Sequence, residues 1–276
     1  MLGLGLLKAL AKKPEKHTFI MAVRKLDLGK KALDELAKEI PDIQSRTELL
    51  ELDISKSDSI DKAIKTITTK NIKIDCLVDN AAILMNDDDK SDFIPKKDNT
   101  PFKANMEIIT NTMQTNFYGT IEFTEKILPY INNNGKVIIF GSRRGLVKKL
   151  KAEPLRKTIM KEDLTKEELV NMAKAYMNDA KNNEVEQKGW DLAAYSMSKV
   201  FIIAYGRIMR KSTAYTSRNI QIYSLCPGWV KTDLGSDLAP LTIEQGVLTP
   251  VYLFDLPWKI SENQGKFFAD CKVISY

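Results

Sequence analysis

The chain has 276 residues, 43% of them hydrophobic and 28% charged, and a formal net charge of +6. This length and composition suit one α/β domain with a sizeable core, and no apolar run approaches the ~18 residues of a membrane span. The lysines are interleaved with acidic residues rather than gathered in arginine-rich tracts. We therefore expect neither nucleic acid nor a membrane as partner, and we assign the basic excess to a phosphorylated small molecule.

Cysteine and histidine usage narrows the chemistry further. Cys76, Cys226 and Cys271 lie far apart and form no C-x-x-C pair, and His17 is the single histidine. The cysteines argue against a disulfide framework or a zinc ribbon and predict reduced thiols in a reducing compartment, the cytoplasm. A two-histidine metal site is excluded, and we expect no metal.

Apolar strand-like runs alternate with amphipathic helical stretches along the chain. The expected strands are 18–23, 48–52, 74–78, 136–141, 220–226 and 266–269. The expected helices are an opening stretch carrying Leu2, Leu6 and Leu10, then 28–40, 57–69, 102–131, 191–212 and 242–254. Continuous apolar strands separated by helices predict a doubly wound parallel sheet, which binds ligands beyond the carboxyl ends of its strands.

A lysine-rich segment at about 146–190 separates the strand at 136–141 from the helix at 191–212. Leu164, Leu169 and Met172 recur in it at helical spacing, which predicts surface helices. We interpret residues 1–276 as a single domain that carries this segment as a helical insertion.

Tyr195 and Lys199 lie four residues apart, which places both side chains on one face of a helix. An ammonium beside a phenol stabilises the phenolate and lowers the pKa of the hydroxyl, so that the tyrosine can exchange a proton near neutral pH. The spacing alone is weak evidence and is more typical of an amphipathic surface turn, so the pair needs partners elsewhere in the chain.

Further polar landmarks follow predicted strands or interrupt a helix. Ser142 ends the strand at 136–141, where its hydroxyl can bind a substrate carbonyl oxygen or simply cap a turn. Asn80 follows the strand at 74–78, and Asn116 sits mid-helix, where a buried amide needs hydrogen-bond partners such as a water leading to Lys199. A Pro-Gly turn precedes Trp229, which offers an apolar wall.

Together these residues resemble the short-chain dehydrogenase/reductase family, and within it the monomeric NADPH-dependent carbonyl reductases. The resemblance rests on Y-x-x-x-K at Tyr195, the upstream Ser142, the helical Asn116, the N-A-[GA] motif at Asn80 and C-P-G-W-V-K-T-D from Cys226 onwards. It implies a Rossmann-type doubly wound sheet and the reduction of ketones, aldehydes or quinones to alcohols. The insertion before the Tyr/Lys helix implies a monomer.

The resemblance also implies a role for each matching residue. Tyr195 donates the proton, Ser142 binds the carbonyl oxygen, Lys199 lowers the tyrosine pKa and holds the nicotinamide ribose, and Asn116 holds a water of the proton relay. The expected cofactor contacts are Gly3, Arg24, Asp53, Ile54, Asn80, Tyr195, Lys199, Val230, Lys231 and Thr232. Ser142 and Trp229 are the expected substrate contacts.

Arg24 ends the strand at 18–23, at the position that selects between the two nicotinamide cofactors in this family. A guanidinium there suits a 2′-phosphate, whereas an acid would bind the ribose hydroxyls, so we expect NADP(H). The alternative is a surface arginine that caps the following turn.

The start of the chain departs from the family pattern. Gly3 aligns with the last glycine of the T-G-x-x-x-G-x-G motif, so the first strand and most of the glycine-rich loop are missing. We interpret this as an incomplete start, with a truncated isoform as the alternative. The departure also keeps a second function open, that of a non-catalytic interaction protein on a truncated reductase scaffold.

A second departure follows Ser142, where Arg143 and Arg144 replace the small or apolar residues usual beside the substrate. If either arginine points inward, the site favours acidic carbonyl substrates. We expect both to face solvent, which has no such consequence.

Overall fold

The computed structural model describes residues 1–85, 105–258 and 262–276. In this part of the chain the strands are β1 Phe19–Val23, β2 Thr47–Glu51, β3 Ile74–Asp79, β4 Ile131–Phe140, β5 Gln221–Cys226, β6 Phe267–Ala269 and β7 Lys272–Ile274. The α-helices there are α1 Leu2–Ala11, α2 Leu26–Ala37, α3 Ile43–Arg46, α4 Ser57–Thr69, α5 Met106–Met113, α6 Thr120–Ile127, α7 Glu153–Met160, α8 Lys166–Lys181, α9 Ala194–Met209, α10 Thr213–Thr216, α11 Ile243–Gly246 and α12 Leu248–Asp255.

The strands form two sheets. β1 pairs with β2 in parallel, and the other sheet has the order β3-β4-β5-β6-β7, parallel except for β7. Leu50 of β2 and Leu77 of β3 belong to one hydrophobic cluster, so the two sheets share a core. Between β1 and β3 no described strand supplies hydrogen bonds, which agrees with the first strand being missing from the sequence pattern. The predicted Rossmann-type α/β fold class, lacking its first strand, is confirmed.

The gap between β1 and β3 is reflected in how deeply the strands are buried. Every residue of β5 is buried, whereas β1 has no fully buried residue and its fourth residue, Ala22, is exposed. α1 covers one side of this region by packing in two directions. Leu6 and Leu10 join the cluster of β4 and β5 residues, and Leu7 joins the cluster of α2 residues. The predicted amphipathic opening helix therefore links the two sheets.

The helix expected at 102–131 is interrupted and ends early. Its first residues lie outside the described part of the chain. Beyond them, α5 passes into a π-helix at Gln114–Gly119 and continues as α6, and a 3-10 turn follows at Leu128–Tyr130. β4 already begins at Ile131, which pairs with Ile74, so residues 132–135, ahead of the expected strand at 136–141, belong to an irregular start of this strand. The apolar run around Pro129 suited either assignment, and pairing with β3 decided it.

The helices between β4 and α9 cover one face of α9. α8 opens with a capping box in which the Thr165 hydroxyl accepts from the Glu168 N–H and the Glu168 carboxylate accepts from the Thr165 N–H. The buried Tyr176 of α8 packs edge-on against Trp190 and tilted against Phe201 of α9, and Trp190 packs edge-on against Phe201. The ring centroids of these pairs lie 5.9 to 6.4 Å apart. These aromatic contacts hold the segment against α9.

Two properties of the described residues concern a membrane and a metal ion. Among the helices of the described residues, none is both long and apolar enough to cross a membrane. Across the same residues, no three or more His, Cys, Asp or Glu side chains converge as a metal site does.

Candidate active site

α9 carries Tyr195 and Lys199 and is buried along nearly its whole length. Tyr195 is 8% exposed and Lys199 is 3% exposed, so the pair does not form a solvated surface turn. The Lys199 Nζ lies 5.6 Å from the centroid of the Tyr195 ring and donates a 2.6 Å hydrogen bond to the Phe140 carbonyl at the end of β4. Burial lowers the pKa of Lys199 to about 8. The ammonium is thus fixed between a strand end and the phenol.

Ser142 lies two residues after the end of β4 and is the N-cap of the 3-10 turn Arg143–Gly145. Its Oγ accepts a 3.2 Å hydrogen bond from the Arg144 N–H, so the capping role considered from the sequence is present. A hydroxyl that accepts in this way still has its proton to donate, and a substrate carbonyl oxygen is a suitable acceptor. Capping therefore orients Ser142 without using up the hydrogen bond that the predicted role needs.

Gly145 brings the Ser142 turn into contact with α9. A Cβ at this position would lie 2.6 Å from the Lys199 carbonyl carbon and 2.7 Å from its oxygen. Only a glycine permits so close an approach of the two backbones. The position of Ser142 relative to Tyr195 and Lys199 is consequently set by this contact.

Asn116 lies within the π-helix, a local widening that is common at functional sites. Its Oδ1 accepts from the Ile83 N–H at 2.8 Å, and its Nδ2 donates to the Ile83 carbonyl at 2.9 Å and to Ser198 Oγ at 3.1 Å. Ser198 Oγ in turn donates to the Tyr195 carbonyl. The side-chain amide therefore ties the loop after β3 to α9, and the relay water toward Lys199 stays a prediction.

The segment after β5 forms a closed loop beside these residues. Gly228 adopts φ +86°, the left-handed region that favours glycine. Trp229 is 37% exposed and its Nε1 donates to the Gly235 carbonyl at 2.6 Å, while the backbones of Lys231 and Leu241 are hydrogen-bonded. Trp229 is thereby held partly open to solvent, as a wall for a substrate requires.

Val230, Lys231 and Thr232 belong to the same loop, but their side chains differ in exposure to solvent. The Val230 side chain is buried, whereas the Lys231 side chain is exposed. Thr232 Oγ1 accepts from the Gly235 N–H at 3.1 Å, which closes the turn. The predicted cofactor contacts of this segment would therefore involve the backbone and the side chains of Lys231 and Thr232, not that of Val230.

The predicted adenine and phosphate contacts gather at the other end of the sheet's carboxyl edge. A Cβ on Gly3 would lie 3.0 Å from Asn80 Nδ2, so α1 meets the end of β3 through this glycine. Arg24 is exposed at the end of β1, and its guanidinium makes no hydrogen bond or ion pair with any residue in the described ranges. No hydrogen bond in the described ranges therefore supports the alternative that Arg24 caps the following turn.

Asp53 and Ile54 follow β2 and face opposite ways. Asp53 accepts two hydrogen bonds from Ser55, which hold the pKa of its carboxyl below the usual range. Ile54 is 7% exposed and packs in the core, and its carbonyl would collide with a Cβ on Gly119. Of these two, Asp53 has the side chain that can reach a ligand.

Two features near the site escaped sequence reasoning. Arg143 faces solvent as expected and forms a 2.6 Å ion pair with Asp270, but the expectation is wrong for Arg144. The Arg144 guanidinium lies 5.5 Å from the Tyr195 ring centroid with its Nε buried. Asp79, the last residue of β3, is also buried, and burial raises its pKa to about 7. The doubled arginine was the only sequence signal for the position of Arg144, and no sequence signal marked Asp79 as buried.

Comparison with known proteins gives a consistent result. The sequence profile of the family described as short chain dehydrogenase matches residues 2–154. A carbonyl reductase (NADPH) 1 of Mus musculus is 31% identical over 259 residues, covering 92% of this chain and 87% of its own. A carbonyl reductase (NADPH) 3 of Rattus norvegicus is 33% identical over 225 residues, covering 80% of this chain and 76% of its own.

The solved structures agree on the fold. Salutaridine reductase from Papaver somniferum superimposes with a TM-score of 0.80 at 22% identity, and the match covers 98% of this chain and 96% of that one. At this identity the likeness concerns the arrangement of strands and helices.

Proposed function

Because this chain belongs to the short-chain dehydrogenase family, an oxidoreductase family, we propose that it reduces ketones, aldehydes and quinones to alcohols with NADPH. The observation that carries the proposal is the buried pair on α9, in which the Lys199 ammonium is fixed 5.6 Å from the Tyr195 ring and bonded to the strand end before Ser142. A family relationship alone would leave catalysis undecided, but this pair supplies a tyrosine placed to exchange a proton.

In the proposed mechanism, the hydroxyl groups of Ser142 and Tyr195 both bind the carbonyl oxygen of the substrate. Ser142 donates a hydrogen bond to this oxygen and stabilises the negative charge that develops on it. Tyr195 donates the proton that completes the alcohol, and the positive charge of Lys199 stabilises the resulting phenolate. Trp229 closes one side of the substrate site and limits access of water.

The residues fit a nicotinamide cofactor along the carboxyl edge of the sheet. Gly3 lies in the first turn of α1, whose N-terminal N–H groups would face a phosphate, and its missing Cβ permits the close approach to Asn80 Nδ2. Arg24 would hold the 2′-phosphate, Asp53 the adenine, and Lys199 the nicotinamide ribose. The chemistry that the cofactor would supply when bound is hydride transfer to the carbonyl carbon. The cofactor is NADP(H), as in the relatives named for NADPH.

Consumption of NADPH with menadione tests the proposal. We expect turnover by the purified chain and a loss of at least about 100-fold in kcat in Tyr195→Phe, since a positioned acid contributes that much or more. Tyr205→Phe is the matched control, because this tyrosine lies on the same helix and its hydroxyl bonds Glu125 instead. Equal activity of Tyr195→Phe and the control would contradict the role of Tyr195.

A second candidate function is that of a non-catalytic interaction protein. The split between β1 and β3 favours it, because unpaired strand edges can recruit other chains and because the split flanks Gly3 and Asn80. Titration of the purified chain with NADPH separates the candidates. Micromolar affinity contradicts the interaction protein, whereas no binding at millimolar NADPH contradicts the reductase.

We also propose that the protein is a cytoplasmic monomer. α8 packs against α9, burying Leu169 and Tyr176, and so covers the helix face on which a second subunit would otherwise dock. Analytical ultracentrifugation is expected to give the mass of one chain, 31.3 kDa. A concentration-independent dimer would contradict this assignment.

A further inference from the structure

A buried serine lies between the proposed proton donor and the lysine that supports it. Ser198 directly precedes Lys199 on α9 and is 0% exposed. Its Oγ donates a 2.8 Å hydrogen bond to the Tyr195 carbonyl and accepts a 3.1 Å hydrogen bond from Asn116 Nδ2. Because a hydroxyl has a single proton, this geometry fixes its direction. The proton points to the helical turn that carries Tyr195, and a lone pair faces the amide.

The amide of Asn116 can bind Ser198 in one orientation only. Asn116 is 2% exposed, and its Nδ2 also donates to the Ile83 carbonyl at 2.9 Å. Its Oδ1 accepts from the Ile83 N–H at 2.8 Å, so a flipped amide would bring two N–H groups together. Both amide protons are therefore used, one on the loop after β3 and one on α9. Removing the Ser198 hydroxyl would leave a buried donor without this partner.

These hydrogen bonds join two parts of the proposed site. Ile83 lies three residues after Asn80, an expected cofactor contact, in the loop that follows β3. Asn116 stands in the π-helix between this loop and α9, and the Ser198 hydroxyl continues the connection to the backbone of Tyr195. The connection therefore limits how far the cofactor loop and the proton donor can move relative to each other.

A second serine on α9 is equally buried but differs in hydrogen bonding. Ser196 is 0% exposed, and its Oγ has no hydrogen-bond partner among the described residues, whereas Ser198 Oγ has two. The two residues share residue type, helix and full burial, so the hydrogen bonds distinguish them. Ser196 is therefore a matched control for Ser198.

We propose that Ser198 is a positioning residue for carbonyl reduction, and this inference rests on the proposed reductase function. By holding Asn116 against α9, Ser198 keeps the loop after β3 and the Tyr195 hydroxyl in the relative arrangement that the reaction requires. Because Ser198 is fully buried, it acts through Asn116 and the Tyr195 backbone and not by touching the substrate. Loss of its hydroxyl is expected to lower kcat with little change in KM, since the alignment matters in the transition state more than in substrate binding.

Steady-state reduction of menadione at saturating NADPH by the wild type and three variants tests this role. We expect Ser198→Ala to lower kcat about tenfold, the equivalent of about 1.4 kcal/mol, with KM for menadione changed less than about twofold. Ser198→Thr keeps a hydroxyl and is expected to retain at least about half of the wild-type kcat, although its added methyl group lowers the melting temperature. Ser196→Ala is expected to keep kcat within about twofold of the wild type, because no hydrogen bond is lost.

Kinetics measured well below the melting temperature of each variant separate positioning from general support of the fold. An unchanged kcat in Ser198→Ala, or an equal fall in Ser196→Ala, would overturn the positioning role. A folded Ser198→Thr that is as slow as Ser198→Ala would also overturn it. If Ser198→Ala does not fold, Ser198→Cys takes its place with the same expected fall in kcat, because a thiol fills the space but hydrogen-bonds weakly. No turnover of menadione by the wild type would overturn the proposed reductase function and this inference with it.

Discussion

Replacing Gly145 with alanine tests how the site is positioned. The added Cβ would lie 2.6 to 2.8 Å from three atoms of Lys199, two of them backbone, whereas ordinary contacts begin at about 3.4 Å. The Ser142 turn must therefore move away from α9 by about 0.8 Å, since the helix backbone is buried and cannot yield. Misplacement by about 1 Å can cost about 100-fold in rate, and overpacking costs about 1 to 3 kcal/mol of stability.

Steady-state kinetics and urea unfolding of Gly145→Ala measure these two effects. We expect kcat for carbonyl reduction to fall about 100-fold, with the Kd for NADPH changed less than about threefold. Gly135→Ala is the control, because its Cβ would meet the Asn132 and Asp75 carbonyl oxygens at 2.8 and 3.0 Å, in the first half of β4 and away from the strand end that precedes Ser142. It is expected to lose stability and keep kcat. If Gly145→Ala folds and retains the wild-type kcat, the contact with Lys199 does not position the site.

Three further predictions concern buried ionisable groups. Because the pKa of Lys199 is about 8, its ammonium loses its proton above that pH, and kcat/KM is expected to fall as pH rises through about 8; a profile flat to pH 9.5 would refute its role. The pKa of Asp79 is raised from 3.8 to about 7, so between these pH values the folded protein retains a proton that the unfolded chain has lost. The stability of the protein is therefore expected to fall as the pH rises from about 4 to about 7. Asp79→Asn is expected to flatten this slope in urea titrations at pH 5 and pH 7, and an unchanged slope would assign it to other groups. The buried Lys136 donates to the carbonyls of Leu253, Phe254 and Leu256 at the end of α12, so Lys136→Met is expected to lose about 2 kcal/mol of stability by urea unfolding without loss of kcat. Equal stability would show that removing the buried charge offsets the lost hydrogen bonds.

The sequence predicted those parts of the fold that rest on local pattern. The largely apolar stretches of β4 (137–140) and β5 were found because burial on both faces favours that composition, whereas the polar first half of β4 was not. β7 was missed: it is three residues long, half exposed and joined to β6 by a turn in which Asp270 and Cys271 adopt positive φ. Neither residue type marks such a turn as a glycine would, so only pairing with β6 defines the strand.

Site residues were predictable where a fixed spacing carries the chemistry. Helical spacing placed Tyr195 and Lys199 on one face and Ser142 followed a predicted strand, but it was the family resemblance that assigned the three residues to one site. The partners of Asn116 were not predictable, because Ile83 and Ser198 come from segments 33 and 82 residues away. The direction of Arg144 depended on the Gly145 contact with α9, which no local pattern encodes.

Transfer of deuterium tests the central claim most directly. The purified chain is given benzaldehyde and NADPH deuterated at the transferred position of the nicotinamide ring, and the alcohol is analysed by mass spectrometry. The account predicts benzyl alcohol with one deuterium on carbon, formed by the wild type and at least about 100-fold more slowly by Tyr195→Phe. Absence of the alcohol, or an alcohol without deuterium on carbon, would contradict it.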